Sequence, residues 1–244
     1  MDERFSRTEL MLGGEVLNRL KNANVAVFGV GGVGGYVVEI LARAGISNLA
    51  IFDNDRVDIT NINRQIIATT STIGMYKVDA VKNRILDINP DAKVETFKCF
   101  YLPENADEYD LSKYDYVIDC IDTVAAKVEL AKRCENLKVP IIASMGSRNR
   151  LDYTKFKICD IFDTHYDKLA KIMRKKLREN GVKHLKVAYS EEDSSEFYKI
   201  EKQNGLFVES TVIGPSIMGV IIGSEVVKSI AFKKCKVKKL GENE

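Results

Sequence analysis

Paired cysteines are missing from this sequence. Cys99, Cys120, Cys134, Cys159 and Cys235 are odd in number, far apart and never arranged as CxxC. That excludes a disulfide scaffold, and no zinc is expected, because a four-cysteine site draws its ligands as short-range pairs. Histidine is scarce as well, with only His165 and His184. Charge of one sign is not in excess: 37 Lys+Arg face 35 Asp+Glu, a net charge of +2, too even for a strongly basic nucleic-acid coat protein. Long apolar runs are also lacking. The first twenty residues carry charge throughout and have no apolar signal core. The longest uncharged stretch of the second half, Ser210 to Ser224, is interrupted by Gly214, Pro215 and Gly219 and is short of the roughly 20 residues a membrane span needs. A reducing cytoplasm and no membrane are the expected setting.

What is present is a chain of 244 residues, 45% apolar and 30% charged, enough to bury a full core and within the range of one large α/β domain. Val25 to Phe28 is a short apolar run of the kind buried on both faces of a parallel sheet. It leads through a glycine loop into a helical stripe from Tyr36 to Ala44, which Gly45 stops. Leu49 to Phe52 is the second strand, and helix is expected from Lys77 to Ile88. Strands follow at 94–97, 116–119 and 140–144, with a helix over 125–138. Strand and helix alternate as in a doubly wound, Rossmann-like, mostly parallel sheet.

Past Met145 the texture changes. From Arg150 onward 19 basic residues face 14 acidic ones, a tilt suited to an anionic macromolecular partner. Phe156 and Ile158 alternate with polar neighbours as in a half-exposed strand. Asp167 to Glu179 is an amphipathic helix whose outer face holds Lys168, Lys171, Arg174, Lys175, Lys176 and Arg178. Lys186 to Ser190 reads as strand, 190–205 as a mobile acidic loop, and 212–232 as an apolar helix with Pro215 in its first turn. No linker composition marks a boundary. The expectation is one domain over 1–244, with a nucleotide-binding half at 1–149 and a basic, substrate-side C-terminal extension of the same domain at 150–244.

Gly29, Gly31 and Gly34 form GxGxxG between a strand and a helix, with Gly32 inside the loop and Asp53 ending the next strand. Glycines let backbone N–H groups approach phosphate, the helix N-terminus favours negative charge, and the carboxylate can hold ribose hydroxyls. The loop alone does not choose between a nicotinamide cofactor and ATP. The following stretch does, with Asp55, Asn61, Arg64 and Lys77, and later Asp122. A triphosphate needs such cations, and Asp122 or Asp55 suits Mg²⁺; hydride transfer needs neither. Cys120 reads as buried packing, while Cys235 sits among lysines that favour the thiolate.

These residues resemble the ubiquitin-activating E1-like superfamily. The resemblance rests on GxGGVG, Asp53-Asn54-Asp55, Thr60 to Gln65, Gly74 to Lys77, Ile88-Asn89-Pro90 and Asp119 to Asp122, in that order over residues 5 to 145. It implies adenylation of a carboxylate by MgATP, with Asp53 at the ribose, Asn61, Arg64 and Lys77 at the phosphates, and Asp122 at the magnesium. The opening Arg4-Phe5-Ser6-Arg7 is similar too, and implies a homodimer in which Arg7 reaches the neighbouring protomer's phosphates. Without CxxC the chain departs from the enzymes that activate sulfur-carrier proteins. Ala143 to Gly146, Arg150-Leu151-Asp152, Asp160-Ile161, the basic helix and Val187 to Glu191 resemble instead the branch of tRNA threonylcarbamoyladenosine dehydratases. That branch implies tRNA as partner and a cyclised adenosine beside the anticodon as product. Arg148, Arg150, Arg174, Lys175, Lys176 and Arg178 are then the candidate tRNA contacts, and a cysteine desulfurase with its sulfur acceptor is a further partner the resemblance brings. The alternatives are an E1-like enzyme for a small carrier protein, a nicotinamide-dependent oxidoreductase, and a nucleotide-sensing module without turnover.

Overall fold

The computed structural model describes residues 3–193 and 211–232. Most of the acidic loop expected at 190–205, from 194 onward, therefore lies outside the described residues, as does Cys235 with its lysines.

Seven strands form one sheet: β1 (Asn24–Phe28), β2 (Asn48–Phe52), β3 (Lys93–Phe97), β4 (Tyr116–Asp119), β5 (Ile141–Ser144), β6 (Phe156–Asp160) and β7 (Lys186–Ser190). Their spatial order is β3-β2-β1-β4-β5-β7-β6. All neighbours are parallel except β6, which runs antiparallel on β7 at the edge. An antiparallel strand at the edge of a parallel sheet is common in large α/β folds. The half-exposed alternation read at 156–159 fits that position, since the outer side of an edge strand is wet.

Helices cover both faces, joining the parallel strands by crossovers as such a sheet requires. They are α1 (Ser6–Leu12), α2 (Gly14–Asn22), α3 (Gly34–Arg43), α4 (Lys77–Ile88), α5 (Val124–Leu137), α6 (Lys168–Glu179) and α7 (Ile213–Ala231). On one face α3 packs against α4 and α7, and Val37, Leu41, Val81, Ile85, Met218 and Ile222 are buried there with the inward side chains of β1 and β2. On the other face α5 buries Ala126, Leu130 and Cys134, and α6 buries Ala170, Met173 and Leu177 beside β5 and β7. By length and composition α7 could cross a membrane. Met218, Ile222 and Val226 are nevertheless wholly buried in the protein core, and Gly219 and Gly223 let it approach Val33 and Ile40 of the glycine-loop helix.

The register also builds an aromatic ladder. Phe28 pairs with Phe52, and Phe52 with Phe97. Their rings stack with centroids 4.1 and 4.3 Å apart, beneath the strand ends that carry the site. Such cross-strand stacking holds neighbouring ends together.

Candidate functional site

The sheet order reverses between β1 and β4, where crossovers leave to opposite faces and ligands bind in sheets of this kind. A cavity of about 700 Å³ lies there at the carboxyl ends of the strands, with Gly31, Asp53, Arg64, Lys77, Asp122 and Gly146 among its lining residues. That size accommodates a nucleotide. A cavity of about 720 Å³ opens at the opposite strand ends among Asn18, Tyr116, Ile141 and Ile230. It has no glycine loop and lies away from the carboxyl ends of the strands, so the chemistry belongs to the first.

The glycine loop is fixed by steric necessity. Gly29 has φ +82°, and a Cβ on it would sit 2.7 Å from the Cys120 carbonyl oxygen. A Cβ on Gly34 would lie 1.9 Å from the carbonyl oxygen of Gly29, so only glycine lets α3 start this close to β1. Gly31 and Gly32 face the cavity. Asp53 holds the loop from β2: its Oδ2 accepts the Val30 amide at 2.8 Å and its Oδ1 the Asp55 amide at 2.9 Å. Burial pushes the Asp53 carboxyl above its ordinary pKa, against the opposing pull of Lys77 and the two amides.

Lys77 opens α4, is only 6% exposed, and donates to Asp55 Oδ2 at 2.6 Å. The exposed Asp55 thus holds a cation at the cavity. Asn61 is buried and accepts the Asp58 amide through Oδ1 at 3.2 Å, closing a capping box at 58–61. The turn so formed presents Arg64, whose Nη1 donates to the Thr60 carbonyl and to Asn63 Oδ1, both at 2.9 Å. Gln65 is buried against the same cavity, and its Oε1 has no protein partner. It was not among the candidate site residues; the signal was its place beside Arg64 in the same motif.

Asp122 is exposed at the cavity, while Asp119, three residues earlier, is wholly buried. Asp119 Oδ2 lies 3.0 Å from Lys127 Nζ, also wholly buried. Its Oδ1 accepts the Ile121 amide at 3.1 Å, and Lys127 donates to the Ile121 carbonyl at 3.1 Å. The pair therefore shapes the 120–122 turn from below and leaves Asp122 to face the ligand. Mg²⁺ is ordinarily held by one or two carboxylates plus phosphate oxygens and water, so Asp122 at the rim fits that ion. Among the described residues no three His, Cys, Asp or Glu come together as a metal site.

Burial pushes the Cys120 and Cys134 thiols up to about 12 and raises Cys99 and Cys159 as well. A thiol needs a lowered pKa to act as nucleophile near neutrality, so none of these four is activated.

Of the candidate RNA contacts, Arg148 is exposed at the cavity. Lys175, Lys176 and Arg178 are exposed on α6, the first two beside Glu179 and the third over the Phe162 ring. Arg174 is half-buried and donates to the Thr164 carbonyl at 3.0 Å and to the Thr164 hydroxyl, so it ties α6 down. Arg150 is a correction. It is only 4% exposed, set against Asp167, and presents no surface to RNA. Arg7 is exposed on α1 and is not among the residues lining the cavity of its own chain.

A doubly wound sheet with a glycine-loop cradle, two cations and a rim carboxylate at its switch point defines a nucleotide-dependent enzyme of the adenylating type. The chain belongs to the ThiF family, whose model matches residues 5–242. It is 42% identical to a tRNA threonylcarbamoyladenosine dehydratase of Bacillus subtilis over 98% of this chain and 100% of that protein. Its fold matches crystal structures of the Escherichia coli tRNA N6-threonylcarbamoyladenosine dehydratase. The complex with ATP gives a TM-score of 0.84 at 29% identity over 95% of both chains, and the complex with AMP the same TM-score at the same identity.

Proposed function

We propose that the protein is an ATP-dependent tRNA threonylcarbamoyladenosine dehydratase. It adenylates the threonyl carboxylate of the modified adenosine next to the anticodon and closes a ring, releasing AMP and pyrophosphate. The observation that carries this reading is the end-to-end identity to the B. subtilis dehydratase, joined to a cavity whose residues suit ATP.

A carboxylate is a poor electrophile, because resonance shields its carbon and oxide is no leaving group. Transfer of AMP to a carboxylate oxygen, with departure of pyrophosphate, gives a mixed anhydride. No base is required, since the acid is already ionised near neutrality. The protein's work is positioning and charge neutralisation. The glycine-loop amides and the start of α3 would take phosphate oxygens, Asp53 the ribose hydroxyls, and Arg64 and Lys77 the charge that builds during transfer. Asn61 fixes the turn that carries Arg64, and Gln65, whose buried Oε1 has no protein partner, lines the cavity beside it. Mg²⁺, held by Asp122 with the phosphates, would supply further neutralising charge. The ureido group of the same substituent then attacks the activated carbonyl, the acyl–oxygen bond to AMP breaks, and the proton lost from the ureido N–H passes to the departing phosphate or to water. Because both reacting groups are in one substituent, effective molarity favours closure, and no activated cysteine is needed.

The same reading extends to the assembly. The protein works in the cytoplasm as a homodimer, in which Arg7 of one protomer reaches the phosphates bound by the other, and tRNA lies against Arg148 and the outer face of α6. A cysteine desulfurase and its sulfur acceptor remain the expected protein partners. The test is incubation of the protein with MgATP and threonylcarbamoylated tRNA, followed by nucleoside mass spectrometry. Loss of one water from the modified adenosine supports the reading. An unchanged nucleoside, with adenylation of a small carrier protein instead, refutes it in favour of carrier activation.

A further inference from the structure

Arg150 and Asp167 are deeply buried charged groups beside the cavity, and the adenylation chemistry uses neither. Arg150 is 4% exposed and Asp167 3%, with Nη2 of the one 3.8 Å from Oδ2 of the other. Asp167 holds two things at once. As the N-cap of α6 its Oδ1 accepts the Ala170 amide at 2.8 Å, and its Oδ2 accepts the Gly146 amide at 2.9 Å. Gly146, Ser147 and Arg148 form one wall of the nucleotide cavity, and Leu169, in the first turn of α6, lines it too. One carboxylate therefore joins the wall to the helix expected to meet RNA.

The backbone on both sides of this pair is forced. Asn149, next to Arg150, has φ +57°, and Tyr166, next to Asp167, has φ +53°. Non-glycine residues rarely adopt the left-handed region, and it persists where the surroundings over-determine it. The Tyr166 carbonyl accepts from Arg150 Nη2 at 3.4 Å. Arg150 Nε and Nη1 and Asn149 Nδ2 are buried without a protein partner. From behind, α7 presses on the same segment: a Cβ on Gly214 would meet the Ser147 carbonyl oxygen at 2.1 Å and that of Arg150 at 3.1 Å. A buried ion pair with unsatisfied donors contributes little to stability, so strain and unmet hydrogen bonds gathered at one wall of a site indicate a role in geometry.

We propose that Arg150 and Asp167 form a positioning latch that locks the Gly146–Arg148 wall of the adenylation site to the first turn of α6, so that RNA held along α6 and the acyl group to be activated share one rigid frame. This rests on the dehydratase reading. Neither residue touches the reacting atoms; the latch acts through the wall it holds.

The experiment compares the full-length wild type with Arg150→Met, Arg150→Lys and Asp167→Asn, using MgATP and threonylcarbamoylated tRNA. Calorimetric Kd for MgATP and filter-binding Kd for tRNA are expected to stay at wild-type values in all variants. The kcat for water loss is expected to fall about 10- to 100-fold in Arg150→Met and Asp167→Asn, the scale of a small misplacement of reacting groups. Arg150→Lys, which keeps the charge, is expected to recover most of it. Unchanged kcat in folded variants overturns the latch. Parallel losses in MgATP binding and kcat also overturn it, because the pair would then merely support the nucleotide site. If Arg150→Met does not fold, Asp167→Asn, which keeps an acceptor for the cap, decides. A wild type that removes no water refutes the dehydratase reading and the latch with it. An active wild type with unaffected variants removes the latch alone.

Discussion

Replacing Lys77 by Met separates the charge of this side chain from its packing. The ammonium lies 2.6 Å from Asp55, whose side chain is 57% exposed, whereas that of Lys77 is 8% exposed. Met fills the channel of the lysine stem, so the buried contacts of that stem are kept. The carboxylate left behind faces water and needs no partner, and a pair with one member in solvent contributes at most about 1 kcal/mol to folding. Thermal unfolding is therefore expected to move by no more than about 4 °C for a chain of this size. The ligand loses much more. A hydrogen bond to a charged group is worth about 1.5 to 3 kcal/mol, so the Kd for MgATP measured by calorimetry rises about 10- to 100-fold. Wild-type ATP affinity in a folded Lys77→Met protein would refute the placement of this cation at the triphosphate. A collapse of stability would instead show that the Asp55 pair is a folding determinant.

Gly34→Ala puts a methyl group 1.9 Å from the Gly29 carbonyl oxygen; the overpacking costs about 3 kcal/mol or more and overrides the helix propensity of alanine. Calorimetry should show unfolding lowered by about 6 to 12 °C. Glu39 links α3 to α4 through Arg84 and takes a second hydrogen bond from Arg43 within α3. Burial raises its carboxyl pKa, but the hydrogen bonds from the two arginines outweigh this and hold it below the ordinary 4.5. A lowered native pKa gives stability that is complete above the unfolded value and lost as pH falls through the folded one. Urea midpoints measured downward from about pH 6 should therefore drop less steeply below about pH 4.5 in Glu39→Gln than in the wild type; identical slopes would contradict the linkage. Lys171, Lys175 and Arg178 are exposed on α6. Changing all three to Ala should weaken tRNA binding and lower the slope of log K against log salt by about 2 to 3. Equal slopes would place the RNA elsewhere.

The strands were legible because a parallel sheet needs short, continuously apolar runs: 25–28 and 49–52 are such runs, and 116–119 and 140–144 depart from one only at their last residues, Asp119 and Ser144. The site followed from position: glycines, Asp53 and Asp122 fall just after strands, where this topology gathers ligands. Helices α1 and α2 went unread, since they are short, mix charged and apolar residues along their length, and bury only Leu17 and Leu20. Arg150 looked like a surface cation because a charged loop residue ordinarily is one. Its burial depends on Asp167, seventeen positions away, and no local pattern reports that contact. The same holds for Asp119, whose partner Lys127 lies a helical turn into α5 and resembles any solvated lysine. The aromatic ladder was hidden for a related reason: Phe28, Phe52 and Phe97 meet only through the register of three strands.

Adenylation makes a claim about atoms. If the threonyl carboxylate attacks the α-phosphorus, one of its oxygens leaves in AMP when the ring closes. Threonylcarbamoylated tRNA labelled with heavy oxygen in that carboxylate should give AMP carrying one labelled oxygen and pyrophosphate carrying none, in step with water loss from the nucleoside. Water loss with unlabelled AMP would contradict the mechanism.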